Sequence, residues 1–140
     1  MKGCIFCKII DGELPSVELY RDDLVCAFLD IAPINKGHVL VIPLEHHTSA
    51  STIPEATAGR MFRVGSRMGI ALKRGLDADG YNLHLADGTA AGQVVMHAHL
   101  HVVPRGVEDG FHWNWRQLQY ESDAERADFA AKIREKLQLD

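Results

Sequence analysis

The sequence predicts an α+β domain built on an antiparallel sheet, from three observations. Short apolar runs rich in Val, Ile, Leu and Phe lie on both sides of one long helical stretch. That stretch, between Pro54 and Gly75, carries apolar residues at helical spacing. A last strand signal, Val94 to Val103, places histidines on one face and apolar residues on the other. Strands, one long helix and then more strands is the order expected of this class.

Each element has a local reason. Residues 4–11 read as a short helix stopped by Gly12, with Pro15 just beyond. Val17 to Tyr20 and Leu24 to Leu29 flank Arg21-Asp22-Asp23 as a hairpin. A loop holding Pro33 and Gly37 leads into a strand from His38 to Ile42, ended by Pro43. In the long helix, Thr52 and Glu55 have capping-box spacing, Pro54 falls in the first turn and Gly75 suits the C-terminal stop. Met61, Val64, Met68, Ala71 and Leu72 form its core stripe, with Arg60, Arg63, Arg67 and Lys73 mostly off it. Tyr81, Leu83 and Leu85 alternate as a strand, and a loop over 87–93 precedes the histidine strand, which Pro104 closes. Ala124 to Leu137, polar with Phe129, Ile133 and Leu137 recurring, reads as a surface helix.

Composition narrows the function classes. A chain of 140 residues is one domain's worth, and 46% hydrophobic with 24% charged residues is ordinary globular usage. The formal charge of −4 argues against generic nucleic-acid or membrane-surface binding, which leaves a basic patch. The cysteines Cys4, Cys7 and Cys26 are too few for a disulfide framework, and the N-terminus does not read as a signal peptide. The longest strongly apolar run, Val39 to Leu44, is far short of a membrane span. A reducing cytoplasm is therefore expected, where a Cys-x-x-Cys pair is more often a metal or redox site than a bridge.

Among eight histidines, His97, His99 and His101 carry the most information. In a strand all three point one way, and Ala98, Leu100 and Val102 the other. Neighbouring imidazoles then lie roughly 6.6–6.8 Å apart, so one ion can be shared by two of them but not by all three. Two chemical readings follow. One is a catalytic metal held by a His-x-His strand. The other uses the middle imidazole, neutral near pH 7, as a nucleophile, with its second ring nitrogen held by a hydrogen bond. Phosphorus suits that chemistry, because imidazole attack yields a phosphoramidate that water can hydrolyse. The preceding loop favours phosphate: Gly88 and Gly92 let backbone N–H groups approach an anion, and Thr89 and Gln93 can add donors.

With these residues in place, the sequence resembles the histidine-triad (HIT) family. His97-Ala98-His99-Leu100-His101-Val102-Val103 matches His-x-His-x-His followed by two hydrophobic residues. Cys4-Ile5-Phe6-Cys7-Lys8-Ile9-Ile10 looks like the bacterial, zinc-containing members. Phe28-Leu29-Asp30-Ile31-Ala32-Pro33, Gly37-His38-Val39-Leu40-Val41-Ile42-Pro43 and Ala91-Gly92-Gln93 follow in the family's order. The resemblance covers roughly residues 4–105. It implies a HIT-like fold: a five-stranded antiparallel sheet with one long and one short helix, joined to a second sheet across a homodimer. A HIT domain is expected over 1–110, with a tail over 111–140 packed on the same domain.

The resemblance also implies roles. His99 matches the nucleophile that becomes nucleotidylated, His101 and Gln93 match phosphate-contacting groups, and His97 matches the supporting first histidine. Asp30 and Ile31 match the segment that holds ribose and base. His38 matches a buried histidine behind the triad, as readily a satisfied core residue as a catalytic one. Two positions depart from the pattern: Ala86 stands where many relatives carry Asn, and Val94 where some carry a polar residue. The departures touch leaving-group handling and therefore the substrate, not the chemistry.

Cys4-x-x-Cys7 is half a zinc site, and no strand precedes it as a thioredoxin-type pair would require. The resemblance supplies the other half, His46 and His97, as a structural Cys2His2 zinc; His47 is the adjacent competitor for His46. Unmetallated thiols are the alternative, and Cys26 reads as a core residue. In the tail, Phe111, Trp113 and Trp115 either pack on the sheet or wall a substrate site, that of a partner subunit included.

The function expected is hydrolysis or transfer at the α-phosphate of a purine-type nucleotide, either a nucleoside phosphoramidate or a dinucleoside polyphosphate. It would proceed through a nucleotidyl-His99 intermediate, with no organic cofactor and no nucleic-acid or membrane partner. The alternatives are a nucleotide-binding regulatory or scaffold protein with vestigial hydrolysis, and a metal-dependent enzyme.

Overall fold

In the computed structural model, which describes residues 1–139, five strands form one antiparallel sheet in the order β1-β2-β3-β5-β4. The chain begins with a short helix α1 (Ile5–Ile10), then β1 (Glu18–Arg21), β2 (Val25–Leu29) and β3 (Val39–Pro43). The long helix α2 (Glu55–Gly75) follows, then β4 (Gly80–His84), β5 (Leu100–Arg105) and α3 (Asp123–Lys136).

The β1–β2 turn is fixed by Asp22, whose Oδ1 accepts the N–H groups of Leu24 and Val25 at 2.8 and 2.9 Å. Burial would raise the Asp22 carboxyl, but the Arg60 guanidinium, those two amides and the Tyr20 hydroxyl hold it well below the usual range. Arg60 lies on α2, so this turn also ties the helix to the sheet edge.

The two central strands are apolar on both faces, which explains their unbroken apolar runs. Val25, Ala27, Val39 and Val41 face α2 and meet Met61, Val64 and Leu72 there. Cys26, Phe28, Leu40 and Ile42 face the other way, onto Phe6 of α1. Each large apolar side chain buried under α2 contributes about 1.5–3 kcal/mol. The helix comes close to the sheet because glycines face it: a Cβ on Gly69 would stand 2.4 Å from the Tyr81 ring.

Two expectations are corrected in detail. The capping box does not form: Pro54 caps α2 without a side-chain bond, while Thr52 Oγ1 donates to the Ser49 carbonyl in the 3-10 turn Ala50–Thr52. Pro54 already fixes the entry into the helix, and its neighbour is drawn into the preceding turn. The helix stops at Gly75 as expected, and the left-handed residue beyond it is Asp77, at φ 55°. The strand expected from Val94 begins its ladder only at Leu100, because residues 94–99 take bonds outside the sheet.

The α3 helix is capped by Ser122, whose Oγ accepts the Glu125 N–H. It buries no residue, and Phe129, Ile133 and Leu137 are exposed. No helix among the described residues is long and apolar enough to cross a membrane.

Candidate active site and metal centre

The segment before β5 is held extended without a strand partner. The Ala98 N–H donates to the His47 carbonyl at 2.7 Å. Gln93, buried at 4% exposure, donates from Nε2 to the Thr48 and Val95 carbonyls and accepts the Gly88 N–H at Oε1. Alternation survives: Ala98, Leu100 and Val102 enter the core under α2, and the three histidines take the opposite face.

Hydrogen bonds assign each imidazole a distinct state. His97 is fully buried, and its Nε2–H donates to the Pro43 carbonyl at 2.9 Å, leaving the Nδ1 lone pair free. His99 does the reverse: its Nδ1–H donates to the His97 carbonyl at 2.7 Å, so the lone pair sits on Nε2. Phe6 of α1 meets both rings edge-on, at 5.9 and 5.2 Å between centroids. His101 is set by a relay. The Ile34 N–H donates to His38 Nδ1 at 3.1 Å, so His38 Nε2 carries the proton and donates to His101 Nδ1 at 2.9 Å. His101 is thereby left with a proton on Nε2.

Burial pushes His97 down to about 4 and His101 down to about 3, the latter helped by His84, His99 and His38. His38 is lowered by burial against the opposing pull of Asp30. Near pH 7, His97 and His101 are therefore neutral. The pattern offers a lone pair at His99 Nε2 beside a neutral N–H donor at His101.

The free Nδ1 of His97 faces three further donors. It lies 3.4 Å from Cys4 Sγ, 3.6 Å from Cys7 Sγ and 3.2 Å from His46 Nδ1, and Cys7 Sγ lies 3.3 Å from His46 Nδ1. A tetrahedral zinc, with Zn–S about 2.3 Å and Zn–N about 2.0–2.1 Å, separates S from N by about 3.5 Å and N from N by about 3.3 Å. The four side chains fit such an ion. His47 does not join them: its Nδ1 meets Thr52 Oγ1 at 3.2 Å. Asp30, His38 and His101 also bring donor atoms within 4.8 Å of one another, but His38 Nε2 and His101 Nδ1 are spent on each other and His38 Nδ1 on the Ile34 N–H.

A cleft of about 720 Å³, within the range of small-ligand sites, opens in front of His99 and His101. Phe6, Ile9 and Leu14 wall it on one side and Phe28 and Leu40 form its floor. Asp30 and Ile31 stand at its rim, with Ile31 95% exposed. Asp30 Oδ1 accepts the Ala32 N–H at 2.9 Å and so shapes that rim. Two expected phosphate contacts are placed differently. Both polar ends of the Gln93 amide are already bonded, so it braces the loop instead of presenting a free donor. Thr89 lies exposed in the 3-10 turn Thr89–Ala91, outside the cleft lining.

The sequence reading passed over His84. It lies directly across the ladder from His101, and the two rings stack at 4.3 Å with 11° between planes. Strand parity is its one signal in the sequence, since the alternating Tyr81, Leu83 and Leu85 leave it on the other face, but only the register shows which histidine it opposes.

Comparison with known proteins agrees with this geometry. The family model described as HIT domain matches residues 11–107. An uncharacterized HIT-like protein of Borreliella burgdorferi is 49% identical over 113 residues, covering 79% of this chain and 81% of that protein. A Schizosaccharomyces pombe protein named adenosine 5′-monophosphoramidase is 36% identical over 107 residues, covering 76% of this chain and 77% of that protein. A protein of Arabidopsis thaliana named adenylylsulfatase is 38% identical over 106 residues, covering 76% of this chain but 54% of that protein. Among solved structures, a HIT-family protein of Bacillus subtilis superposes with TM-score 0.90 at 34% identity over 99% of both chains. A zinc-bound histidine-triad protein of Mycobacterium smegmatis does so with TM-score 0.76 at 37% identity, over 96% of this chain and 99% of that one.

Proposed function

The chain belongs to the HIT family, and we propose that it is a nucleotide hydrolase or transferase acting at an α-phosphate through His99. The observation that carries this reading is the hydrogen bond from His99 Nδ1–H to the His97 carbonyl, which puts a lone pair on Nε2 at the mouth of the cleft. The names of the S. pombe and A. thaliana relatives support the reaction class.

In this reading the nucleoside lies in the apolar cleft, against Phe6, Phe28 and Leu40, with its ribose at the Asp30–Ile31 rim. His99 Nε2 forms a bond to the α-phosphorus as the bond to the leaving group breaks, and that electron pair departs with the leaving group. His101 Nε2–H donates to a phosphate oxygen, held in that tautomer by His38. Gln93 keeps the Gly88–Gly92 loop, which carries Thr89, beside the phosphate. Water then breaks the N–P bond and releases the nucleoside monophosphate. Donors on the neutral imidazoles avoid the cost of burying a charge before substrate arrives.

Cys4, Cys7, His46 and His97 would hold a structural zinc. Such an ion, with four protein ligands, supplies folding stability and fixes the start of the histidine segment. A reducing cytoplasm is the compartment that accords with cysteines kept available to a metal. The domain runs over 1–110, with 111–140 as its tail. A homodimer joined along the outer edge of β4 accords with that edge having no strand partner among the described residues, and with the exposed Trp113 and Trp115 beyond it.

The test is release of adenosine monophosphate from adenosine 5′-phosphoramidate and from a diadenosine polyphosphate. Turnover lost in His99→Ala while nucleotide binding is kept supports the enzyme. Binding without turnover in the unmodified protein overturns it in favour of a regulatory or scaffold role.

A further inference from the structure

We propose that His84 is a specificity-determining residue that contacts the leaving group and favours substrates whose leaving group is anionic. This rests on the nucleotide reading above. The sheet order puts the apolar cleft over β2 and β3, His101 on β5 and His84 on β4. With a nucleoside in that cleft, His101 lies at the phosphate and His84 is the next side chain on the far side of it, away from the nucleoside. Ala86 is two residues further along on the same parity and presents only a methyl group, so His84 is the polar side chain that parity supplies at this end.

Its surroundings fit a contact with an anion. His84 is exposed and its imidazole makes no hydrogen bond among the described residues, so both ring nitrogens are available. The parallel stack on His101 fixes its ring plane, with both nitrogens on the ring edge and not on the face turned to His101. The titratable groups around it are His101 and His99 on β5, with His38 and Asp30 behind His101. No lysine or arginine stands among these to meet the charge of a sulfate or polyphosphate leaving group. An imidazole N–H at His84 provides that donor. Sulfate leaves with the electron pair of the broken P–O bond and takes no proton, so stabilising the developing charge is what the site must do for it. An amine leaves neutral only after gaining a proton and draws less from such a donor.

The experiment compares kcat/KM for adenosine 5′-phosphosulfate with that for adenosine 5′-phosphoramidate in the unmodified protein, His84→Leu and His84→Gln. The ratio, anionic over neutral leaving group, should fall by about tenfold in His84→Leu, the effect of losing one hydrogen bond to a charged group. It should be partly restored in His84→Gln, which keeps a donor, with all three proteins melting at closely similar temperatures. A ratio within about twofold of the unmodified protein in His84→Leu overturns the assignment while leaving the nucleotide reading intact. Failure of the unmodified protein to turn over either substrate overturns both.

Discussion

His38 Nε2 stands 2.9 Å from His101 Nδ1, and the other nitrogen of His38 accepts the Ile34 N–H at 3.1 Å. A backbone amide in a loop thus dictates the tautomer of an imidazole at the mouth of the cleft. His38 is 2% exposed, and its burial is what makes the relay stiff.

His38→Leu should cut turnover by about tenfold to a hundredfold although His38 never meets substrate, because His101 loses the bond that orients its ring. It should also cost about 1–3 kcal/mol of stability, from the Ile34 amide and His101 Nδ1 left unpaired. Steady-state kinetics and urea unfolding measure the two. Full activity in the variant would show that the relay does not set His101.

Cys7→Ser should release zinc and lower the melting temperature by about 10 °C, equivalent to about 3 kcal/mol for a chain of this size. Metal analysis of the purified protein should give one zinc per chain before the substitution and none after it. Unchanged melting with unchanged metal content would mean that the Cys4, Cys7, His46 and His97 cluster is not the ligand set.

Acid should destabilise the fold before the carboxylates titrate. His101 is pushed down to about 3, so the unfolded chain, with its histidines near 6.5, takes up a proton first. The unfolded state then binds more protons than the folded one, and stability rises with pH across that window. It is fully present above pH 6.5 and lost on going down, by about 1.4 kcal/mol per pH unit for this histidine. Urea midpoints between pH 7.5 and 5 should fall accordingly, with a shallower fall in His101→Asn. A profile as steep in His101→Asn as in the unmodified protein would contradict neutral burial of this ring.

Much of this was legible in the residues because alternation and punctuation are local. Cys26 and Phe28 against Val25 and Ala27 split the core between two faces as their parity implies. Gly12, at φ 77°, ends α1 where a short helix was expected to stop. What failed depended on partners far along the chain. Thr52 matched a cap but was drawn into the turn with Ser49, and residues 94–99 kept strand parity while Ala98 bonded to the loop at His47. For Gln93, nothing local shows that Thr48, Val95 and Gly88 bond its amide. The candidate metal set was half legible: Cys4-x-x-Cys7 announces itself, while His46 needed either the resemblance or the fold. His84 needed the register between β4 and β5, which the sequence does not carry.

The central claim is that His99 Nε2 attacks phosphorus. Its most direct test is intact-protein mass spectrometry, at neutral pH and after brief mixing with adenosine 5′-phosphoramidate, followed by mapping of the acid-labile adduct. The account predicts one adenylyl group on His99 and none in His99→Ala. Turnover without any adduct, or an adduct that persists in His99→Ala, would contradict it.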